Sequence, residues 1–280
     1  MTNTINYIKK TLSEFYPESE INGVTRIVIE DILNIPYHAI LSDKNRKITS
    51  EEFTKIEDIL SRLKKSEPIQ YILGRTEFCG LPFVVNQNVL IPRPETEELV
   101  EIIIRQNNAE NLSILDIGTG SGCIAVSLAK LMSEANISAW DVSEDALIVA
   151  KENAKMNTVN VNFNRVDVLG DYPTDKKFDI IVSNPPYVLE SDKSGMDKNV
   201  LDHEPHLALF VPDDKALMFY ERIADVAKKL LNPSGKLYFE IHYLKGQETM
   251  DMLKEKGFSD VTLSKDLSGN DRMVHASLIQ

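Results

Sequence analysis

The chain has 280 residues, of which 42% are hydrophobic and 26% are charged, as in ordinary globular proteins. Acidic residues outnumber basic ones by 43 to 31, and the net charge of −12 argues against direct binding of nucleic acid, which needs a basic surface. Cys79 and Cys123 are too few for a disulfide framework or a metal cluster, and no apolar run has the length of a signal peptide or a membrane span. These features predict a cytoplasmic protein with no metal site and no membrane partner.

The first part of the chain has the apolar periodicity of short helices. Apolar residues recur every three or four positions over residues 27–35 and 53–63, and Thr49-Ser50-Glu51-Glu52 is typical of a helix start. Turn residues divide the segment at Pro17, Asn22-Gly23, Pro36 and Ser42-Asp43. We therefore predict a small helical domain over residues 1–74, with three or four helices.

Residues 75–94 are predicted to form a β-hairpin that links this domain to the rest of the chain. Two short apolar runs, residues 83–85 and 89–91, flank the turn residues Asn86-Gln87-Asn88. The pattern places the hairpin at this turn and leaves residues 95–280 as a second domain.

From residue 95 onward, predicted strands and helices alternate. Apolar runs with the length of buried strands alternate with amphipathic helices, which is typical of an α/β fold with a doubly wound, mostly parallel sheet. Seven strands are predicted, at residues 112–117, 137–140, 160–166, 178–183, 236–241, 260–263 and 273–278. The helices cover residues 123–131, 144–155, 216–231 and 246–256.

A glycine-rich loop, Gly118-Thr119-Gly120-Ser121-Gly122, joins the first of these strands to a helix. Glycines permit positive φ and let a ligand approach the backbone closely, and the start of a helix offers free amide groups. The pattern alone fits a nicotinamide enzyme, an enzyme that uses S-adenosylmethionine, or a plain strand–helix turn.

Acidic residues at the ends of the next two strands narrow this choice. Asp141 can accept hydrogen bonds from both ribose hydroxyls of a nucleoside, and Asp167 can accept from an adenine amino group while Val168 covers the ring. A helix cap at Asp141 and a simple turn at Asp167 are the structural alternatives. Asp116, just before the glycine loop, favours a cationic sulfonium over a pyrophosphate. We therefore predict S-adenosylmethionine as the cofactor.

The fourth predicted strand ends in Asn184-Pro185-Pro186-Tyr187. Ligands of open α/β sheets bind outside the carboxyl ends of the strands, so this segment is expected to face the glycine loop. The Asn184 side-chain oxygen and the Pro185 carbonyl can accept both hydrogens of a planar NH₂ group, and Tyr187 offers a flat surface for packing. Because an amide nitrogen is a poor nucleophile, these acceptors are expected to raise its electron density and align it for methyl transfer. A rigid turn without a chemical role is the alternative.

Taken together, these segments resemble the HemK/PrmC family, the peptide chain release factor glutamine methyltransferases, over nearly the whole chain. The Asn-Pro-Pro-Tyr segment is shared with adenine and guanine methyltransferases. Two other segments are more specific: Ile91-Pro92-Arg93-Pro94-Glu95-Thr96 and Glu204-Pro205-His206-Leu207-Ala208-Leu209. The resemblance implies a Rossmann-like, class I S-adenosylmethionine-dependent methyltransferase fold with a small N-terminal helical bundle.

The resemblance also implies an activity, which is N5 methylation of the glutamine in the Gly-Gly-Gln motif of class-1 release factors. The helical domain would dock the release factor, and the balance of acidic and basic side chains in residues 1–75 suits this role. The residues it implies for cofactor contact are 118–122, Asp141, Val168 and Asn184. Those for substrate contact are Asn184, Pro185, Pro186, Tyr187, Pro92, Arg93 and Glu95. The chain departs from the family at Val168, where relatives often carry an aromatic residue.

Three other functions remain open at this point. The same residues would support methylation of a glutamine in a ribosomal protein. Adenine-N6 methylation of nucleic acid would require a basic surface or a target-recognition insertion, and the sequence contains neither. A binding protein without catalysis would not need an intact Asn184-Pro185-Pro186-Tyr187 segment beside Asp141.

Overall fold

The computed structural model describes residues 1–36, 38–39 and 46–279. The chain divides into two compact units, of which the first contains Met1–Gly74 and Asp197–His203 and the second contains Arg75–Met196 and Glu204–Gln280. The segment 75–94 belongs to the second unit, and its role as a separate linker remains a prediction. No helix among the described residues combines the length and apolar character that a membrane crossing requires.

The first unit is built from helices whose apolar faces meet. They are α1 (Thr2–Leu12), α2 (Glu18–Leu33), α3 (Ser50–Leu63) and α4 (Ile69–Leu73). Ile8, Val28 and Ile56 come from three different helices and are fully buried in one cluster. The predicted start of α3 is confirmed, because Thr49 Oγ1 accepts a hydrogen bond from the Glu52 backbone N–H at 3.1 Å and Glu52 Oε2 accepts from the Thr49 N–H at 2.8 Å.

The predicted turn at Asn22-Gly23 is wrong, because both residues lie inside α2. This helix buries Ile21, Val28 and Ile29. Burial of such side chains outweighs the roughly 1 kcal/mol by which a glycine disfavours a helix. The predicted turn at Ser42-Asp43 lies outside the described residues.

The second unit begins with an antiparallel hairpin of β1 (Arg75–Phe78) and β2 (Leu81–Val84). This hairpin lies earlier in the chain than predicted, because Cys79 and Gly80 adopt positive φ (50° and 70°) and form a tight two-residue turn. The predicted strand at residues 89–91 does not form. Asn86 instead closes a turn in which its carbonyl accepts a hydrogen bond from the Val89 N–H at 3.1 Å.

A seven-stranded sheet forms the centre of the second unit. The strands that follow β1 and β2 are β3 (Ser113–Ile117), β4 (Asn136–Asp141), β5 (Asn162–Arg165) and β6 (Phe178–Ser183). The strands β7 (Val188–Leu189) and β8 (Phe210–Val211) form a short separate pair. They are followed by β9 (Leu231–Glu240), β10 (Phe258–Lys265) and β11 (Asp271–Leu278). The spatial order is β10-β11-β9-β6-β3-β4-β5. Strand β11 runs antiparallel to its neighbours, and the remaining pairs are parallel. The predicted mostly parallel, seven-stranded α/β fold is confirmed.

Helices cover both faces of this sheet. They are α5 (Pro94–Gln106), α6 (Cys123–Leu131), α7 (Glu144–Met156), α9 (Met218–Leu230) and α10 (Gly246–Glu255), while the short α8 (Lys198–Leu201) lies in the first unit. Side chains alternate between the faces along β9. Leu237 and Phe239 join a buried cluster with Ile223 of α9, whereas Tyr238 joins a second cluster with Leu99 of α5. The sheet is therefore doubly wound, with a core on each side.

The carboxyl ends of the parallel strands lie along one edge of the sheet. Ile117 at the end of β3 is aligned with Trp140 of β4, and Ser183 at the end of β6 is aligned with Phe239 of β9. The segments that follow these strands therefore meet at the same edge, which is where ligands of open α/β sheets bind.

Candidate active site

The glycine loop leaves β3 through three residues with positive φ. Gly118, Gly120 and Gly122 have φ of 75°, 54° and 80°. A side chain at Gly122 would begin 3.1 Å from Cβ of Ala150 in α7, so glycine at this position allows α6 and α7 to pack closely. Gly118 and Gly120 have no atom within 4 Å of the position of a Cβ. The loop therefore leaves open space over its backbone.

Asp141, at the end of β4, is fixed against this loop by two hydrogen bonds. Its Oδ2 accepts from the Gly120 backbone N–H at 2.8 Å, and its Oδ1 accepts from the Ser143 N–H at 2.9 Å. Burial raises the pKa of Asp141 above its ordinary value, and these backbone donors oppose the rise. Each oxygen retains acceptor capacity for a further hydrogen bond.

Asp116 lies in β3, one residue before the strand ends. It is fully buried, it does not line the cleft described below, and its Oδ2 accepts a hydrogen bond from Thr119 Oγ1 at 2.6 Å. Burial raises the pKa of Asp116 to about 7. The residue thus contacts the glycine loop through Thr119, and the expectation that it lies near a ligand remains a prediction.

An open cleft of about 1130 Å³ lies along this edge of the sheet. Most of the residues predicted for the site line it together: Pro92, Arg93, Gly118, Thr119, Gly120, Ser121, Asp141, Asp167, Val168, Asn184, Pro185 and Pro186. Gly122, Glu95 and Tyr187 are not among the lining residues. Gly122 packs against α7 instead. Glu95 and Tyr187 are close in sequence to residues that line the cleft, but they do not line it themselves.

The Asn184–Tyr187 segment is held by side chains from two other elements. Asn184 Nδ2 donates to Oγ1 of Thr96 at 3.2 Å, and Thr96 donates to Oε2 of Glu240 at 2.6 Å. Tyr187 Oη donates to Oε1 of Glu240 at 3.3 Å. Burial raises the pKa of Glu240, while the hydrogen bond from Thr96 and the charge of Arg272 oppose the rise. Tyr187 is therefore anchored through its hydroxyl, and its role as a flat surface for the substrate remains a prediction.

The two segments that most resemble the family meet in one ion pair. Arg93 Nη2 lies 2.6 Å from Oε1 of Glu204, which is only 4% exposed. Oε2 of the same carboxylate accepts from the backbone N–H of Ile91 at 3.2 Å. Glu204 thus fixes the stretch that carries Pro92 and Arg93 along the wall of the cleft.

Arg222 of α9 holds the loop after β5. Its Nε donates to the Val168 carbonyl at 2.7 Å, and its Nη2 donates to the Gly170 carbonyl at 2.5 Å. Its guanidinium also lies 5.1 Å from the centre of the Tyr172 ring, within the range of a cation–π contact. These contacts fix the backbone of Val168, which lines the cleft.

Several of these residues could not be recognised in the sequence alone. Arg222 lies in a helix whose periodicity predicts only a packed face. Thr96 and Glu204 stand in the two segments that resemble the family, and Glu240 ends β9. The partners of these three side chains are 53 to 144 positions away in the chain. Among the described residues, no group of three or more His, Cys, Asp or Glu side chains is arranged to hold a metal ion.

Comparisons with known proteins place this fold and site in a family. Two family models match, the PrmC N-terminal domain over residues 3–74 and the methyltransferase small domain over residues 95–203. A release factor glutamine methyltransferase of Flavobacterium psychrophilum is 46% identical over 269 residues, which is 95% of this chain and 94% of that protein. This chain belongs to the release factor glutamine methyltransferase family. A second member of the family, from Bacteroides thetaiotaomicron, is 46% identical over 97% of this chain and 98% of its own length.

The fold is also similar to that of solved methyltransferase structures. A methyltransferase from Pyrococcus furiosus superposes with a TM-score of 0.55 at 18% identity, covering 83% of this chain and 100% of that one. At this identity the likeness shows the fold alone, and it agrees with the Rossmann-like methyltransferase fold that the sequence predicted.

Proposed function

We propose that this chain transfers a methyl group from S-adenosylmethionine to the side-chain amide nitrogen, N5, of the glutamine in the Gly-Gly-Gln motif of class-1 peptide chain release factors. The observation that carries the proposal is the cleft in which Asn184 and Pro185 stand together with Asp141 and the glycine loop. A nucleoside donor and a planar amide acceptor can meet in such a cleft. Membership of the family identifies the amide as that of a glutamine.

The residues of the cleft fit S-adenosylmethionine. Gly118 and Gly120 offer a cradle of backbone atoms without side chains. Asp141 is fixed by the loop on one side and has lone pairs left for the two ribose hydroxyls. Asp167 is exposed in the loop after β5, where it can accept from an adenine amino group, and Val168 can cover the ring. The bound cofactor would supply an electrophilic methyl group and leave as S-adenosylhomocysteine.

Asn184 and Pro185 can activate an amide nitrogen without a strong base. The Asn184 side-chain oxygen and the Pro185 carbonyl would each accept one N–H of the glutamine amide, which raises the electron density on its nitrogen. The same contacts hold the nitrogen in line with the donated methyl group. The new N–C bond forms while the proton is still present, and the proton leaves to water afterwards, when the methylated nitrogen is acidic.

We assign binding of the protein substrate to residues around the cleft and to the helical unit. We expect Pro92, Arg93 and Glu95 to contact the release factor, with Arg93 held in place by Glu204. The helical unit, residues 1–74, would dock the factor. The net charge of −12 disfavours nucleic acid as a direct partner. Since translation factors work in the cytoplasm, we propose the same location for this enzyme.

Methyl transfer from radiolabelled S-adenosylmethionine tests the proposal directly. The acceptors would be a purified class-1 release factor and its variant with Gly-Gly-Ala in place of Gly-Gly-Gln, beside ribosomal proteins and adenine-rich DNA. We expect label on the factor and none on the variant. Label only on ribosomal protein or DNA would overturn the assignment of the substrate while leaving the fold and the family unchanged.

Removal of Arg222 should weaken cofactor binding. In Arg222→Ala the carbonyls of Val168 and Gly170 lose their shared donor, so the loop that covers the adenine loosens. We expect the Kd for S-adenosylmethionine to rise about fivefold, which corresponds to roughly 1 kcal/mol. Isothermal titration measures this change. Lys229→Ala is the matched control, because Lys229 lies 6.0 Å from the same Tyr172 ring; an equal rise in both variants would remove the special role of Arg222.

A further inference from the structure

Three side chains from different elements form a continuous chain of hydrogen bonds beside the cleft. Asn184 follows β6, Thr96 lies in the first turn of α5, and Glu240 ends β9. The Asn184 Nδ2 to Thr96 Oγ1 distance is 3.2 Å, and the Thr96 Oγ1 to Glu240 Oε2 distance is 2.6 Å. Thr96 and Glu240 are only 2% and 1% exposed, so water has little access to replace these contacts.

The direction of each hydrogen bond follows from the chemistry of the groups. A carboxylate only accepts, so the Thr96 hydroxyl donates its single proton to Glu240. Oγ1 of Thr96 then has only lone pairs to offer to Asn184, and it accepts from the amide nitrogen. The amide oxygen of Asn184 is therefore the atom that points away from Thr96 and remains for a ligand.

The reversed amide would be unfavourable on both sides. Its oxygen would face the lone pairs of Thr96, where no proton is available, and two acceptors in contact repel each other. Its NH₂ group would be presented to the substrate, and two donor groups cannot bind one another. Only the observed orientation of Asn184 offers an acceptor to a substrate amide.

We propose that Thr96 and Glu240 are positioning residues, which fix the orientation of the Asn184 side-chain amide so that its oxygen faces the acceptor nitrogen. The proposal rests on the proposed function and deepens it, since it names the groups that direct the acceptor residue. Glu240 also accepts from Tyr187 through its other oxygen at 3.3 Å. One buried carboxylate thus anchors both ends of the Asn-Pro-Pro-Tyr segment.

Two substitutions at Thr96 separate orientation from packing. Thr96→Val replaces the hydroxyl by a methyl group of similar size, and Thr96→Ser keeps the hydroxyl. We expect kcat for methyl transfer to fall about tenfold or more in Thr96→Val, because the amide loses the partner that fixes it, while KM for both substrates stays within about threefold. Thr96→Ser should restore most of the rate. A Thr96→Val enzyme with the kcat of the wild type would overturn the proposal.

A second substitution covers the case in which Thr96→Val does not fold. In Glu240→Gln the new glutamine amide can donate a hydrogen bond to Thr96 as well as accept one from it. The direction of the hydrogen bonds from Asn184 through Thr96 is then no longer fixed. We expect kcat to fall about threefold or more with KM unchanged, because the two orientations of Asn184 then compete. An unchanged kcat in a folded Glu240→Gln enzyme would contradict the role of the carboxylate.

The orientation of the Asn184 side-chain amide can also be measured without any methyl acceptor. The ¹⁵N side-chain amide signals of Asn184 are identified in a two-dimensional NMR spectrum by their loss in Asn184→Ala. We expect Thr96→Val to shift or broaden them and Thr96→Ser to leave them near their original position; signals that do not respond to Thr96→Val would count against the proposal. Failure of the wild-type enzyme to label a release factor would contradict the proposed function alone, because this spectrum does not depend on the identity of the substrate.

Discussion

Replacement of Asn184 by alanine should lower kcat for methyl transfer by at least about 100-fold, the effect expected when a preorganised hydrogen-bonding group is removed from a reacting centre. Asn184→Ala removes the side-chain oxygen that is proposed to hold one N–H of the substrate amide. The nitrogen then keeps its delocalised lone pair and is held by the Pro185 carbonyl alone. Single-turnover transfer of labelled methyl to the release factor measures the loss in the chemical step.

Cofactor binding and folding provide the controls for this variant. The glycine loop and Asp141 are unchanged in Asn184→Ala, so the Kd for S-adenosylmethionine should stay within about fivefold. Asn160→Ala, at an exposed position outside the cleft, should retain the wild-type rate and unfold at a similar temperature. Near-normal turnover in Asn184→Ala would contradict the proposed mechanism, because that mechanism contains no other side chain that can replace this acceptor.

The fold was predictable because its signals are local. Strands such as β3 and β6 contain short apolar runs, and the covering helices have apolar faces with a period near 3.6 residues. The glycine loop and Asp141 could be predicted for the same reason, since the loop, the strand ends and the following helix starts lie close together in the chain. The topology then brings these strand ends to one edge of the sheet.

The hairpin was misplaced because its turn has an unusual residue. A two-residue turn with positive φ normally carries Asn, Asp or Gly, and here a cysteine, Cys79, occupies the first position with φ of 50°. The sequence Asn86-Gln87-Asn88 has stronger turn residues, and it does form a turn, but no strand follows it. Pairing of β1 with β2 is a tertiary outcome that turn propensity alone did not predict.

The supports of the site were not predictable because they depend on contacts between distant parts of the chain. The hydrogen bond from Thr96 to Glu240 spans 144 positions, and the ion pair of Arg93 with Glu204 spans 111. In a single sequence each of these residues is only one more polar side chain near the end of an element. Their roles become visible when the fold places each carboxylate within hydrogen-bond distance of its donor.

Asp141→Ala should raise the Kd for S-adenosylmethionine by about 100-fold or more, because hydrogen bonds to a charged group contribute about 1.5–3 kcal/mol each and two ribose hydroxyls lose their acceptor. The same substitution also leaves the backbone N–H groups of Gly120 and Ser143 without their partner. The loop that forms the cradle therefore loses its fixed conformation together with the ligand contact. Isothermal titration with S-adenosylmethionine in the absence of a methyl acceptor measures the change.

Two other acidic residues serve as controls that separate this role from the general effect of lost negative charge. Asp145→Ala removes an exposed carboxylate from the first turn of the same helix, α7, and should leave the Kd within about twofold. Asp167→Ala should raise the Kd by about tenfold or less, because Asp167 is exposed and water can replace it as a partner of the adenine amino group. If Asp141→Ala bound the cofactor as tightly as Asp145→Ala, Asp141 would be a helix-start residue and the ribose would have to be held by other groups. An effect of Asp167→Ala larger than that of Asp141→Ala would instead move the main contact from the ribose to the adenine.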